Sequence, residues 1–288
     1  MDNLNKYDLH KNDFSKLHFE VNDAKPYLLK NLDHAVVPHR HSFYQIIWFK
    51  NAGRHYVDYE IINHSENTVF FINTNQIHYF CTDSINEGVL FHFNDYFISQ
   101  FNPEFLERFS LSIFNEIGKP CLNLSESEIE RFDVFSKFIE EEIKGNDVFM
   151  REEVYSVFTS LLFLIERLKS KETKIDFNLN LDFKLAYSFK EEVYKNKQSF
   201  YNIDFYSNLL HTNNKKLTSV VKQYLGNTPV NIITSIKILE AKRRLANGKF
   251  SIQEIAYDLG FDQPTYFTKY FKKATGITPK EFQSSIFL

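Results

Sequence analysis

Residues 251–279 most narrowly limit what this chain can fold into. The stretch begins Ser251-Ile252-Gln253-Glu254-Ile255-Ala256-Tyr257-Asp258-Leu259-Gly260-Phe261. Ser251 is an N-cap residue, and Glu254 stands three positions on, where its carboxylate can reach back to the N–H of the cap. Ile252, Ile255, Ala256 and Leu259 recur at the spacing of one helical face. Gly260 supplies the positive φ that ends the helix. A second helix starts at Gln263-Pro264, where proline gives up only a first-turn N–H that has no partner anyway. Two short helices joined by a glycine turn predict a helix-turn-helix over 252–276.

The second helix divides into two faces. Phe267, Tyr270, Phe271 and Ala274 share the buried side; Thr265, Lys269, Lys272 and Lys273 share a polar, cationic one. Such a helix suits a DNA major groove, with its head at base edges and its lysines at phosphates. The pattern repeats fifty residues earlier. Leu217, Val220, Val221 and Tyr224 repeat the apolar spacing, Lys222 falls opposite Lys272, and Gly226-Asn227-Thr228-Pro229 falls opposite Gly276-Ile277-Thr278-Pro279. A repeat at fixed period means two copies of one supersecondary unit. Between them, Thr228 to Asn247 reads as one connecting helix carrying Ile232, Ile236 and Leu239 and stopping at Gly248.

This string resembles the C-terminal signature of the AraC-type family of bacterial transcription regulators, over roughly the last hundred residues. The resemblance implies a seven-helix domain with two helix-turn-helix units, here 203–226 and 252–276. The first unit departs from the pattern, because its turn, Leu210-His211-Thr212-Asn213-Asn214, has no glycine. Placing the reading helices on the family motif puts Lys215, Thr218, Ser219 and Lys222 on the groove side of the first. It puts Pro264, Thr265, Tyr266, Lys269 and Lys272 on the groove side of the second. Two heads on a stiff connecting helix are expected to enter successive major grooves. The partners implied are double-stranded operator or promoter DNA, RNA polymerase, a small-molecule effector and a second copy of the chain.

Charge is split along the chain. From Phe183 onward there are 16 Lys and Arg against 8 Asp and Glu; the residues before it hold 18 against 29. A basic C-terminal part suits a polyanion, and an acidic N-terminal part does not. No apolar run approaches the ~20 residues that span a bilayer. The N-terminus, Met1-Asp2-Asn3-Leu4-Asn5-Lys6, is polar and unlike a secretion signal. A cytoplasmic protein with no membrane partner is expected, and Cys81 and Cys121 are read as reduced core thiols.

From Tyr27 to His92 the reading is β. Residues 44–49, 53–59, 68–72, 77–80 and 88–93 are short β-branched or aromatic runs separated by Asn, Gly, Asp and Ser turns, which predicts a small barrel or sandwich. Pro38-His39-Arg40-His41, Tyr44-Gln45 and His78 resemble the cupin-like sensor half that many AraC-type regulators carry. In metal cupins the corresponding positions hold three histidines and a glutamate. His39, His41 and His78 match the histidines, but Gln45 replaces the anionic oxygen, so neither metal nor cofactor is assigned. The expected role is an effector pocket lined by His39, His41, Tyr44, Gln45, Trp48, His55, His78 and His92.

After Asp95 the pattern turns helical. Ser125 caps a helix from Glu128 to Lys144 with Ile129, Phe132, Phe135, Phe138, Ile139 and Ile143 as its stripe, stopped by Gly145-Asn146. A second helix runs from Met150 to Lys169. In the resembled family helices here form the dimer contact. The expected architecture is α+β in two domains. Residues 1–169 form a cupin-like β-barrel with following helices, for effector sensing and dimerisation. Residues 170–182 are a linker, and 183–288 form an all-α, seven-helix DNA-binding domain. The function expected is sequence-specific, effector-controlled transcription regulation, not catalysis. Two alternatives stay open: a metal-dependent cupin enzyme tethered to DNA, and an architectural DNA binder without an effector.

Overall fold

The short aromatic runs fold as strands. The computed structural model describes residues 5–286 apart from 11, 12, 14, 59, 75, 115–118, 174–180 and 198–200. The chain divides into two units between Lys174 and Ile175. In the first unit β1 (Lys6–Tyr7), β2 (Phe19–Asp23), α1 (Ala24–Lys30), α2 (Leu32–Ala35), β3 (Arg40–His41), β4 (Tyr44–Phe49), β5 (Gly53–Val57), β6 (Glu60–His64), β7 (Thr68–Ile72), β8 (His78–Phe80) and β9 (Gly88–Phe93) come first. They are followed by α3 (Asp95–Ser99), α4 (Glu104–Ser112), β10 (Cys121–Asn123), α5 (Glu126–Gly145) and α6 (Met150–Thr173). Antiparallel pairing builds a five-stranded sheet, β10-β7-β4-β9-β2, and a three-stranded sheet, β6-β5-β8.

All six residues of β4 are buried, so both of its faces are covered. Tyr44, Ile46 and Trp48 turn to one side with Val69, Phe71, Phe91 and Phe93, and join a core with Phe132, Val154, Phe158 and Leu161 of α5 and α6. Ile47 and Phe49 turn to the other side, where they meet Val57, Phe70, Ile72, Phe80 and Leu90 between the sheets. Cys81 and Cys121 are free and buried.

Several boundaries differ from the sequence reading. Tyr27 lies in α1, not in a strand; Ala24 and Leu28, four apart, are the buried side of that helix. The first strand of the large sheet is β2, where Phe19 and Val21 alternate with Glu20 and Asn22. Phe138 is exposed, outside the α5 core stripe. Helix α6 continues to Thr173, so the stretch expected to be linker from Ser170 begins helical. Its last turns are tied down by buried Lys169, which donates to the Ile113 carbonyl at 2.8 Å and lies 4.7 Å over the Phe71 ring. The rest of that linker, 174–180, lies outside the described residues, and Leu181 and Asp182 already belong to a helix.

The second unit is helical: α7 (Leu181–Lys195), α8 (Ile203–Leu209), α9 (Asn214–Leu225), α10 (Pro229–Asn247), α11 (Ile252–Asp258), α12 (Pro264–Thr275) and α13 (Pro279–Ile286). Local chemistry sets most of the boundaries from α8 onward. Ser251 accepts from the Glu254 N–H at 3.1 Å while its own N–H donates to Glu254 at 2.7 Å, closing the α11 capping box. Gly226 and Gly276 adopt left-handed φ, and their N–H groups donate to the carbonyls of Lys222 and Lys272. Thr228 and Thr278 then cap α10 and α13, each followed by a first-turn proline.

The two turns solve one problem with different residues. After α11, Gly260 takes φ +80°; after α8, His211 takes φ +51° at the equivalent place. The hydrogen bonds correspond: Thr212 N–H donates to Ser207 O, and Phe261 N–H to Ala256 O. His211 is a non-glycine residue in the left-handed region, where a Cβ crowds the carbonyl. The glycine-free turn therefore keeps the geometry of its partner, but it reaches its second helix one residue sooner. From α10, Lys237 donates to the Leu259 carbonyl at 2.8 Å, which pins the turn between α11 and α12 to the connecting helix.

Two outcomes test this framework. A Cβ on Gly88 would lie 1.8 Å from the Trp48 carbonyl oxygen. Gly88→Ala should lower the melting temperature of the N-terminal unit, costing at least the ~1–3 kcal/mol of ordinary overpacking; an unchanged melting curve would contradict the β4–β9 register. Burial lowers the Lys237 ammonium from 10.5 to about 8. Between those values only the unfolded chain binds that proton, so stability rises with pH across the window. Denaturant titrations from pH 8 to 10.5 should show this gain in the wild type and not in Lys237→Met.

Candidate nucleic-acid interface and histidine cavity

The two longer helices of the helix-turn-helix units are amphipathic, and burial shows which side is free. In α9, Leu217, Val220, Val221, Tyr224 and Leu225 are buried. Lys215, Ser219 and Lys222 are exposed, and Thr218 is half-buried. In α12, Phe267 and Phe271 are buried and Tyr270 half-buried. Thr265, Tyr266, Lys269 and Lys272 are exposed, and Pro264 is half-buried. Ala274, expected on the buried side, is exposed; it lies in the last turn, beyond Phe271. Lys215, Lys222 and Lys269 make no ion pair among the described residues, whereas Lys216 pairs with Asp182 at 2.6 Å. The solvent side of each helix thus offers unneutralised ammonium groups beside hydroxyls, a donor set matched to phosphates and base edges.

In the N-terminal unit the alternation along β4 separates the expected cavity residues. Gln45 faces the space between the sheets, and Tyr44 and Trp48 face the helices. Tyr44 packs on Phe93 and Phe114, with ring centroids 5.4 and 4.8 Å away, and Trp48 packs on Phe132 at 5.7 Å. Neither lines the cavity, because residues i, i+2 and i+4 of a strand share one face and the residue between them points away. The cavity holds about 250 Å³ and is lined by His39, His41, Gln45 and His92 together with residues the sequence reading missed, among them Tyr7, His10, Glu20, Tyr27, Asn31, Phe43 and Phe80. His55 and His78 do not line it; both are fully buried. The period-2 pattern at Phe19–Asp23 was the available signal for Glu20, and nothing local marks Tyr27 or Asn31.

Six buried polar side chains form three hydrogen-bonded pairs, which meet where the His78 ring lies 4.6 and 4.9 Å from the His39 and His41 rings and the His41 ring lies 6.4 Å from that of His92. His39 Nδ1 lies 2.8 Å from the Val37 carbonyl, and its Nε2 lies 3.0 Å from His41 Nε2. His78 Nδ1 lies 3.3 Å from His55 Nε2, and Gln45 Nε2 lies 2.6 Å from His92 Nε2. On its other side His92 Nδ1 stands 3.8 Å from Glu20, and the His92 ring beside it holds that carboxyl below its usual range. Burial drives His41 and His78 well below the ordinary imidazole range, lowers His39 and takes His55 to about 3. These rings are therefore neutral near pH 7, with free lone pairs. One candidate nitrogen from each of His39, His41 and His78 lies within 4.8 Å of the other two, so these three can hold a metal ion. Gln45 is turned to His92. No described helix is long and apolar enough to cross a membrane.

A family model described as a helix-turn-helix domain matches residues 206–285, which span α8 to α13. Over 141 residues the chain is 28% identical to the raffinose operon transcriptional regulatory protein RafR of Pediococcus pentosaceus, covering 49% of each protein. Over 67 residues it is 36% identical to the transcriptional activator RhaS of Pectobacterium carotovorum, covering 23% of this chain and 24% of RhaS. A structure of ToxT from Vibrio cholerae aligns with 92% of this chain and 98% of its own at 17% identity and a TM-score of 0.43. The chain spans about half the length of RafR and of the Bacillus subtilis regulator YisR, the first curated relatives it matches. With its paired turns, its glycine and threonine-proline caps and these relatives, the C-terminal part of the chain, residues 206–285, belongs to the AraC-type helix-turn-helix family.

Proposed function

We propose that this chain is a sequence-specific DNA-binding transcription regulator that acts as a homodimer and is controlled by a small ligand held in the N-terminal unit. The observation that carries the reading is the pair of equivalent helices α9 and α12, each packed on one side and each presenting on the other lysines that make no ion pair among the described residues, Lys215 and Lys222 in α9 and Lys269 in α12. Helix α10 joins the two units and fixes their separation, so both heads read one face of a duplex about one helical turn apart. Lys215, Lys222, Lys269 and Lys272 meet phosphates or guanine. Thr218, Ser219, Thr265, Tyr266 and Pro264 meet base edges and thymine methyls. RNA polymerase is the further partner such a regulator contacts at a promoter. A second copy pairs through α5 and α6, where Val134, Phe138 and Phe163 are exposed apolar groups on the helices that cover the large sheet. The ligand acts by binding the DNA-competent and DNA-incompetent states with different affinity.

The test is selection of duplexes from a randomised library by the full chain, followed by salt titration. A single enriched motif is expected. Lys222→Ala and Lys269→Ala should weaken binding to it, with either a salt slope reduced by ~1 or relaxed preference at one base pair. Full affinity in both variants would remove α9 and α12 from the groove.

A further inference from the structure

Two hydrogen-bond chains run along the wall of the N-terminal cavity, and both end on an acceptor that nothing meets. The first crosses three neighbouring strands. Register sets Glu20 of β2 and Gln45 of β4 directly across from His92 of β9, so all three share one face of the sheet. The Glu20 carboxylate stands 3.8 Å from His92 Nδ1, which favours the ring proton there. His92 Nε2 is then a lone pair, and Gln45 Nε2 donates to it at 2.6 Å. That bond fixes the amide and leaves the Gln45 carbonyl oxygen as an acceptor. Gln45 is 1% exposed, and its Oε1 has no partner. The second chain starts at the Val37 carbonyl, which can only accept. His39 therefore carries its proton on Nδ1, and its Nε2 accepts from His41 Nε2 at 3.0 Å. His41 Nδ1 is left as a buried lone pair without a partner. Glu20, His41 and Gln45 all line the cavity.

We propose that the cavity takes a small organic ammonium ion, with its charge set against Glu20 and its N–H groups serving the unmet acceptors of the wall. Among the described residues the lining holds two carboxylates, Asp8 and Glu20, and neither lysine nor arginine. An anionic ligand would meet Glu20 with no fixed cation beside it. The two oxygens of Glu20 offer ~four lone-pair sites. His10 Nε2 at 3.2 Å and Asn22 Nδ2 at 3.5 Å leave room for a further donor. An alcohol brings one proton and two lone pairs of its own, which does little for a wall already rich in acceptors. A primary ammonium brings three protons, no lone pair and a positive charge. The surroundings suit that charge. The Tyr27 and Phe43 rings flank His92 at 5.2 and 5.1 Å, and the Tyr7 ring lies 5.6 Å from that of His39. All three line the cavity, where their faces can attract a cation within ~6 Å. At about 250 Å³ the space is below the ~300–1,000 Å³ of drug-sized sites, so the ligand is small.

The ammonium ion's role as the sensed ligand rests on the regulator reading of the preceding subsection; the site itself does not. The experiment uses the full chain and two matched sets of probes: hexylamine, 1-hexanol and hexanoate, and phenethylamine, 2-phenylethanol and phenylacetate. At least one amine should raise the melting temperature. By calorimetry it should bind about 10-fold or more tightly than its alcohol, and its carboxylate should not bind. Glu20→Gln, at a half-buried position, should erase the preference for the amine, and Glu66→Gln, exposed and outside the cavity, should keep it. The wild-type comparison of amine, alcohol and carboxylate stands whether or not the variants fold. The bound amine should change affinity for the library-selected duplex by about 5-fold or more. No binding of either amine, or an alcohol or carboxylate bound as tightly, while the duplex is still bound, would overturn the inference and leave the regulator reading standing. An amine bound with unaltered duplex affinity would overturn the sensing role. An amine bound by a chain that selects no duplex would keep the site and refute the regulator.

Discussion

The burial of β4 on both faces is the constraint on which the N-terminal unit depends. A strand alternates its side chains, so a strand covered on both sides must satisfy two environments with one sequence. Tyr44, Ile46 and Trp48 meet the phenylalanine-rich core beneath α5 and α6; Gln45, Ile47 and Phe49 face the second sheet and the histidines. Pairing with β9 sets Gln45 directly across from His92, and pairing with β7 sets it across from Ile72. A slip of one residue would put Trp48 among the imidazoles and Gln45 in hydrocarbon. Gly88, opposite Phe49, permits the close approach that holds this register.

In the C-terminal unit short-range chemistry does most of the specifying. Most of the helix ends from α8 to α13 have a local cause: a Ser-Glu box, an Asn or Thr cap, a first-turn proline, a left-handed glycine. These interactions span two to four residues, so they are visible in the chain before any tertiary contact is known. Long-range contacts then set the angle between elements. The Lys237 ammonium under the Leu259 carbonyl is the clearest, because it fixes a turn to a helix 22 residues away. Its burial, with the lowered proton affinity that follows, shows that a rigid turn is gained by holding a charge in poor solvent.

This difference explains what was legible. The helix-turn-helix pair, the connecting helix and strands 44–49, 68–72 and 88–93 follow from periodicity and caps. The glycine-free turn did not show its geometry, because His211 can adopt left-handed φ only with support from its surroundings. Residues 24–30 and 19–23 were missed because short amphipathic segments carry few apolar positions, and Lys25, Pro26 and Glu20 dilute the signal. Aromatic character alone points Tyr44 and Trp48 at a cavity; strand parity turns both away from it, onto Phe93, Phe114 and Phe132. That three histidines from two segments converge depends on the His39–His78 bridge, a pairing no local pattern announces.

The polar floor of the cavity is costly, and the architecture shows how the fold tolerates it. Neutral imidazoles avoid the Born penalty of a buried charge, yet the unpartnered nitrogens still lose hydration. Leucine or phenylalanine at those positions would pack without that loss. The compensation lies on the opposite face of the same sheet, where Phe19, Phe91, Phe93, Phe97 and Phe158 make edge-to-face or tilted contacts with centroids 4.7–6.4 Å apart. One face of β4 and β9 supplies cohesion, and that surplus permits the other face to keep groups with little value for folding and much for holding a ligand. Because the two faces alternate residue by residue along the same strands, occupancy of the cavity bears directly on the sheet to which α5 and α6 are packed.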